Sequence, residues 1–193
     1  MSRDFIGSIE GEYRRYKALT EGAMDQLSPE ELCSTAVGSD NSIIVMVWHI
    51  SGNLLSRFTE FLSSDGEKPW RGRDSEFVPR QTSRAELMQK WEDGWDVLFS
   101  SLAELEDANL NKTVSIRGVP LDVHEALHRS LAHASYHVGQ IVYVAKSLRG
   151  NSWHHLSIPP GESEAYRRNP GLEKSLNHPE GFDEFRKGRP RST

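Results

Sequence analysis

Two histidines four residues apart, in His133-Ala-Ser-Tyr-His137, carry the most specific chemistry available to this chain. At roughly 100° per residue an HxxxH spacing sets two imidazoles about 40° apart on one helical face, so both can reach a single metal ion. Two ligands do not make a transition-metal site, because three or four protein ligands are usual. The best candidate for the third is His49, in a second strongly helical segment, Asn41-Ser-Ile-Ile-Val-Met-Val-Trp-His-Ile-Ser-Gly-Asn-Leu-Leu-Ser-Arg-Phe58. The apolar arc of that segment holds Ile43, Ile44, Val47, Trp48, Ile50, Leu54, Leu55, Phe58 and Phe61. His49 lies opposite the arc's centre, beside Ser42, Gly52, Asn53 and Ser56, which could line a cavity and would equally suit solvent. A rival pair, His124 and His128, is also one turn apart, but at the opposite edge of its helix's inward arc. The two pairs cannot all bind one ion, and spacing alone does not choose between them.

Long helices are needed to hold such groups together. The first reads from about Arg3 to Leu27, with Phe5, Ile9, Tyr13, Tyr16 and Leu19 at three- and four-residue steps, and stops at Ser28-Pro29. The second opens at Asn41 as N-cap and ends near Ser63. The third starts at Thr82 or Ser83, where Ser83-Arg-Ala-Glu86 is a capping box, and turns Leu87, Trp91, Trp95, Leu98 and Leu102 inward. Alternating polar and apolar residues around a glycine, Thr113-Val-Ser-Ile-Arg-Gly-Val-Pro-Leu121, predict a short hairpin before the fourth helix. That helix opens on a second capping box, Asp122-Val-His-Glu125. Its inward arc holds Val123, Leu127, Leu131, Ala134, Val138, Ile141, Val142, Ala145 and Leu148.

The connection from Ser63 to Thr82 is rich in charge, glycine and proline, and loops beyond about 12 to 15 residues are often functional. Its Lys68, Arg71 and Arg73 read as a solvated run, with a charged lid over an anionic substrate as the other reading. Trp70 in the same loop is balanced between a structural and a ligand-binding role, whereas Trp48, Trp91, Trp95 and Trp153 read as structural. Glu60, three turns from His49, is too far for the same ion and is left at most a supporting role around it. Cys33 reads as a buried or incidental thiol.

A histidine early in the second helix, followed far downstream by HxxxH running directly into Gly139-Gln140, resembles the DinB-like superfamily of small metal-binding bundles. These are the damage-inducible proteins, not the polymerase of the same name. The resemblance covers roughly residues 3 to 150. Within it Trp48-His-Ile-Ser-Gly-Asn53, Ser64-Asp-Gly-Glu-Lys-Pro-Trp70 and Glu125-Ala-Leu-His-Arg-Ser-Leu-Ala-His133 look like a branch with no settled activity. It implies that His49, His133 and His137 are the three ligands, and so favours that pair over His124 and His128.

The fold expected is all-α: an up-down four-helix bundle over residues 1–150, with the long connection between helices two and three and a short hairpin before helix four. A C-terminal extension follows over residues 151–193. The better-understood branches resemble thiol-dependent S-transferases and isomerases, so the resemblance implies a metal-dependent transferase acting on a low-molecular-weight thiol and a small electrophile. Two alternatives stay open: a hydrolase using metal-bound hydroxide, and a non-catalytic stress-response or scaffold protein in which the ion ties helix two to helix four. Imidazole suits several ions, so the cofactor is a divalent transition metal such as zinc, nickel, iron or manganese.

Composition narrows the partners. The chain has 193 residues, 36% of them hydrophobic, enough for one sizeable core. Its 23 Lys and Arg against 28 Asp and Glu give a formal charge of -5, and no basic stripe interleaved with aromatics argues for nucleic acid. The longest apolar run, Ile43 to Ile50, is too short to span a bilayer. A single cysteine and an N-terminus without an apolar signal region point to a cytoplasmic protein. Apolar residues on more than one face of helix two point to a homodimer, and the transferase that the resemblance implies would act on a small-molecule substrate. In the tail, Trp153 to Gly161 reads as an ordered extension, His154 and His155 as remote candidates for the metal, and Arg186 to Arg191 as disordered.

Overall fold

The computed structural model describes residues 2–35, 40–168 and 170; the expected disorder of Arg186 to Arg191 lies outside the described residues. The described chain is mostly helical, with α1 (Asp4–Met24), α2 (Pro29–Cys33), α3 (Ile43–Phe58), α4 (Arg73–Glu76), α5 (Arg84–Ala103), α6 (Val123–Arg149) and α7 (Ser163–Arg168). One antiparallel hairpin, β1 (Thr113–Ile116) and β2 (Val119–Asp122), interrupts them between α5 and α6.

Local chemistry sets the boundaries. The N-terminus of α1 is satisfied by Asp107, whose carboxylate accepts from the Phe5 and Ile6 amides at 3.3 and 3.1 Å. Arg3 donates to the Leu102 carbonyl in the last turn of α5 at 2.8 Å and to the Leu105 carbonyl just past its end at 2.9 Å, so the two chain segments close each other's orphan groups. Helix α2 follows from a capping box not read in the sequence, Ser28 with Glu31, and has proline in its first turn. For α3 the N-cap is Ser42, which accepts from the Val45 amide, one residue beyond the expected Asn41. This helix also ends earlier than expected, at Phe58 rather than near Ser63, because Thr59 is extended and Glu60 takes a φ of 50°. The capping boxes at Ser83–Glu86 and Asp122–Glu125 both form. In the hairpin Ile116 pairs with Val119, which leaves Arg117 and Gly118 at φ 56° and 73° as a two-residue turn with both centres left-handed, the geometry suited to twisted strands.

Helix α3 runs along α5, α1 runs along α6, and α3 also touches α6. A side chain cannot fit at Gly94: a Cβ there would stand 2.7 Å from the Ser51 Cα, so α3 and α5 meet backbone to backbone. Trp91, Trp95, Tyr13 and Phe58 are among the largest fully buried side chains, and the Tyr13 hydroxyl donates to the Leu127 carbonyl at 3.0 Å. Trp153 packs against this core, as expected, and Gln26 pairs with both backbone groups of His154. No helix among the described residues is long and apolar enough to cross a membrane.

Candidate metal centre

Helix α3 is buried on nearly every face, so the small and polar residues opposite its apolar arc are not solvated. His49 is 4% exposed and points to α6, where His133 and His137 occupy successive turns of one face. The ring centroids of His133 and His137 are 4.7 Å apart, and His49 lies 5.1 and 4.8 Å from them. One ring nitrogen from each of the three lies within 4.8 Å of the others, so the histidines could bind a metal.

Hydrogen bonds decide which nitrogen each ring turns inward. His49 Nδ1 lies 2.9 Å from Glu76 Oε2, an acceptor, so Nδ1 donates there and Nε2 is the nitrogen turned to the cluster. His137 Nδ1 likewise donates to Gln140 Oε1 at 2.8 Å and leaves Nε2 free. His49 Nε2 and His133 Nε2 are 3.2 Å apart, close to the about 3.3 Å between two imidazole nitrogens bound to one tetrahedral ion at ordinary metal–nitrogen lengths. Burial, reinforced by the neighbouring His137 and His49, pushes the His133 pKa down to about 3. Burial with His49 lowers that of His137 too, against the raising effect of Gln140. Both are therefore neutral imidazoles at neutral pH, the form that binds a metal. The donor set fits a divalent transition ion.

Glu76 was not singled out in the sequence, and it orders the centre. Burial raises its pKa, but hydrogen bonds from His49 and Arg71 together with the Arg71 charge outweigh that, so the carboxyl stays below its usual range and ionised. Arg71 grips it through two bonds of 2.9 Å while only 2% exposed. The seat exists because residue 52 is glycine: a Cβ there would lie 2.1 Å from Glu76 Oε1. A carboxylate on the outer nitrogen of a histidine ligand fixes tautomer and ring orientation and raises basicity. The one available signal was weak, an acid within a long charged loop.

Other expectations for the site need correction. Glu60 is exposed beyond the end of α3, its carbonyl accepting from the Ser63 and Ser64 amides, and the supporting role offered to it falls to Glu76. Lys68 and Arg71 are not a solvated run, because both are buried; Arg73 alone of the three is half exposed. His124 and His128 are outside the cluster, at the side of α6 next to Leu110 and Phe5. His154 and His155 are exposed, and Trp70 is 59% exposed.

A cavity of about 180 Å³ opens beside the three histidines, with His49 and His133 in its wall and Asn53 and Ser130 adding polar groups. Strand β1 and the hairpin turn close one side of it. Asp65 fastens that hairpin by accepting from the Ser115 hydroxyl at 2.7 Å and the Arg117 and Gly118 amides at 2.8 Å each.

A family model described as "Protein of unknown function (DUF1572)" matches residues 1–162, and the chain belongs to that family. No curated protein and no solved structure matches it significantly.

Proposed function

We propose that this DUF1572 protein binds a divalent transition metal through His49, His133 and His137 and is a metal-dependent transferase acting on a low-molecular-weight thiol and a small electrophile. The observation that carries the reading is the convergence of three imidazoles beside a cavity, two of them, His49 and His133, in its wall. A three-histidine set leaves coordination positions open, as catalytic sites do and sealed structural sites do not. When bound, the ion supplies the charge that lowers a thiol's pKa and yields a thiolate at neutral pH. Glu76 holds the His49 ring, Gln140 holds the His137 ring, and the cavity admits the second substrate.

The resemblance to DinB-like proteins supports the same reading, with α1, α3, α5 and α6 as an up-down four-helix bundle, residues 1–150 as the domain and a homodimer as the assembly. Elemental analysis of untagged wild type beside His49→Ala and His137→Ala tests the centre, with near-stoichiometric metal expected only in the wild type. A charge-transfer band when a cellular thiol is added to the cobalt-substituted protein tests the reaction class. No perturbation by any cellular thiol would sink the transferase and leave the metal site standing.

A further inference from the structure

Every charged side chain in the wall of the cavity, apart from the histidines, is a guanidinium: Arg57, Arg71, Arg73, Arg117 and Arg129. No carboxylate lines it, in a chain whose formal charge is -5. Two acids outside the wall offset part of this charge. Glu67 lies 3.1 Å from Arg57 and 2.9 Å from Arg117, and Glu76 holds Arg71. Arg73 has only a 3.6 Å approach to Asp74, which is fully solvated, and its guanidinium lies over the Phe77 ring. Arg129 stands one helical turn before His133 on α6, is exposed, and lines the cavity. The cavity is therefore left with a surplus of positive charge, carried by its more exposed guanidiniums.

We infer that this cavity binds the oxyanion group of a small molecule, a carboxylate or a phosphate, and presents the rest of that molecule to the histidine cluster. The second half of this inference rests on the metal reading above; the first does not. Guanidinium is the group suited to the task, since its planar fork meets a carboxylate or phosphate through paired hydrogen bonds and keeps its charge at any physiological pH. A concave pocket of this volume holds a small molecule, whereas a nucleic-acid backbone needs an extended basic surface. The arrangement gives a reason for arginine in an otherwise acidic protein to gather at one cavity.

The test is isothermal titration calorimetry at low ionic strength, with inorganic phosphate, with succinate, and with neutral succinamide as control. Each is titrated into the full-length protein loaded with metal and again after chelation. The variants are Arg73→Ala, Arg129→Ala and both together, chosen because these side chains are exposed enough for the fold to survive, which thermal unfolding checks. At least one oxyanion is expected to bind, less tightly as salt rises, while succinamide does not. Each single variant weakens binding about tenfold or more, and the double variant abolishes it, with metal content unchanged. Preference for phosphate or for succinate tells the two chemistries apart. No oxyanion binding by the metal-loaded protein, or binding indifferent to the double variant, overturns the inference and leaves the metal site untouched. Arginine-dependent binding to a protein that takes up no metal when metal is supplied upholds the pocket and defeats the metal reading alone.

Discussion

Helix α6 presents the same histidine spacing twice, in surroundings that differ. At its start, His124 Nδ1 meets the Leu110 carbonyl at 3.2 Å, His128 sets its ring edge to face against Phe5, and the two imidazoles stand 6.4 Å apart. Further along, His133 and His137 close to 4.7 Å, and α3 delivers a third imidazole between them and an ionised glutamate. The first pair is occupied one ring at a time by a carbonyl and an aromatic edge. In the second, Gln140 holds the outer nitrogen of His137, and His133 turns its Nε2 to within 3.2 Å of His49 Nε2, so ring nitrogens converge where one cation could meet them. An i,i+4 histidine pair becomes a candidate ligand set through what the neighbouring helix supplies.

The sharpest way to break this contrast is to remove the rings. His49→Ala, His133→Ala and His137→Ala should each lower metal affinity by more than about 100-fold, beyond what loss of an outer partner does. His124→Ala and His128→Ala should leave it unchanged, with metal content by elemental analysis as the measurement. An equal loss from both sets would erase the distinction.

Chelation should come next in size. A ligand that binds only the folded protein at 100 times its Kd stabilises it by about 2.7 kcal/mol, which is roughly 5–10 °C in Tm for a domain of this size. Scanning calorimetry with and without chelator should show that drop in wild type and in His124→Ala, and none in His49→Ala.

Glu76→Gln should weaken metal binding by roughly 10- to 100-fold, because the amide no longer supplies the charge that the outer nitrogen of His49 donates to. Competition with a chromogenic chelator would measure it. Gly52→Ala should produce a similar loss with Glu76 intact, since the added methyl takes the carboxylate's place.

The smallest effect concerns the hairpin, which leads into His124 on one side and walls the cavity on the other. Hydrogen bonds from the Glu67 and Gly118 amides and the Ser115 hydroxyl hold the Asp65 carboxyl well below the usual carboxylate range. A depressed pKa means the unfolded chain binds the proton first, so this contribution is complete above about pH 4 and is lost as pH falls below it. Thermal unfolding followed from pH 6 down to pH 3 should show less acid sensitivity in Asp65→Asn than in wild type, with a slightly lower Tm at pH 6.

Most of the long helices were legible because helical period and capping boxes are local signals, whereas the set His49, His133 and His137 came from the resemblance to a metal-binding family. Ser83–Glu86 and Asp122–Glu125 form as the sequence implies, and the hairpin turns at Arg117-Gly118. Glu76 was not legible. It reaches His49 from a four-residue helix inside an irregular stretch, a position set by tertiary contacts with Arg71 and Gly52 that no periodicity encodes. The burial of Lys68 and Arg71 was hidden for the same reason, since charge in a loop reads as solvated until the loop is seen folded against α3. Spacing alone likewise could not choose between the two histidine pairs, since what separates them is the imidazole that α3 brings to one of them.

The missing side chain at position 52 bears on inheritance as well as on structure. With glycine there, the carboxylate of residue 76 has one seat against α3; with any larger residue that seat is gone and His49 loses its present support. The two positions are thus bound to each other across 24 residues of chain that share no secondary-structure element. Members of this family are expected to keep glycine and glutamate as a couple or to replace both at once, leaving a covariation that marks, from sequence alone, which relatives retain this centre.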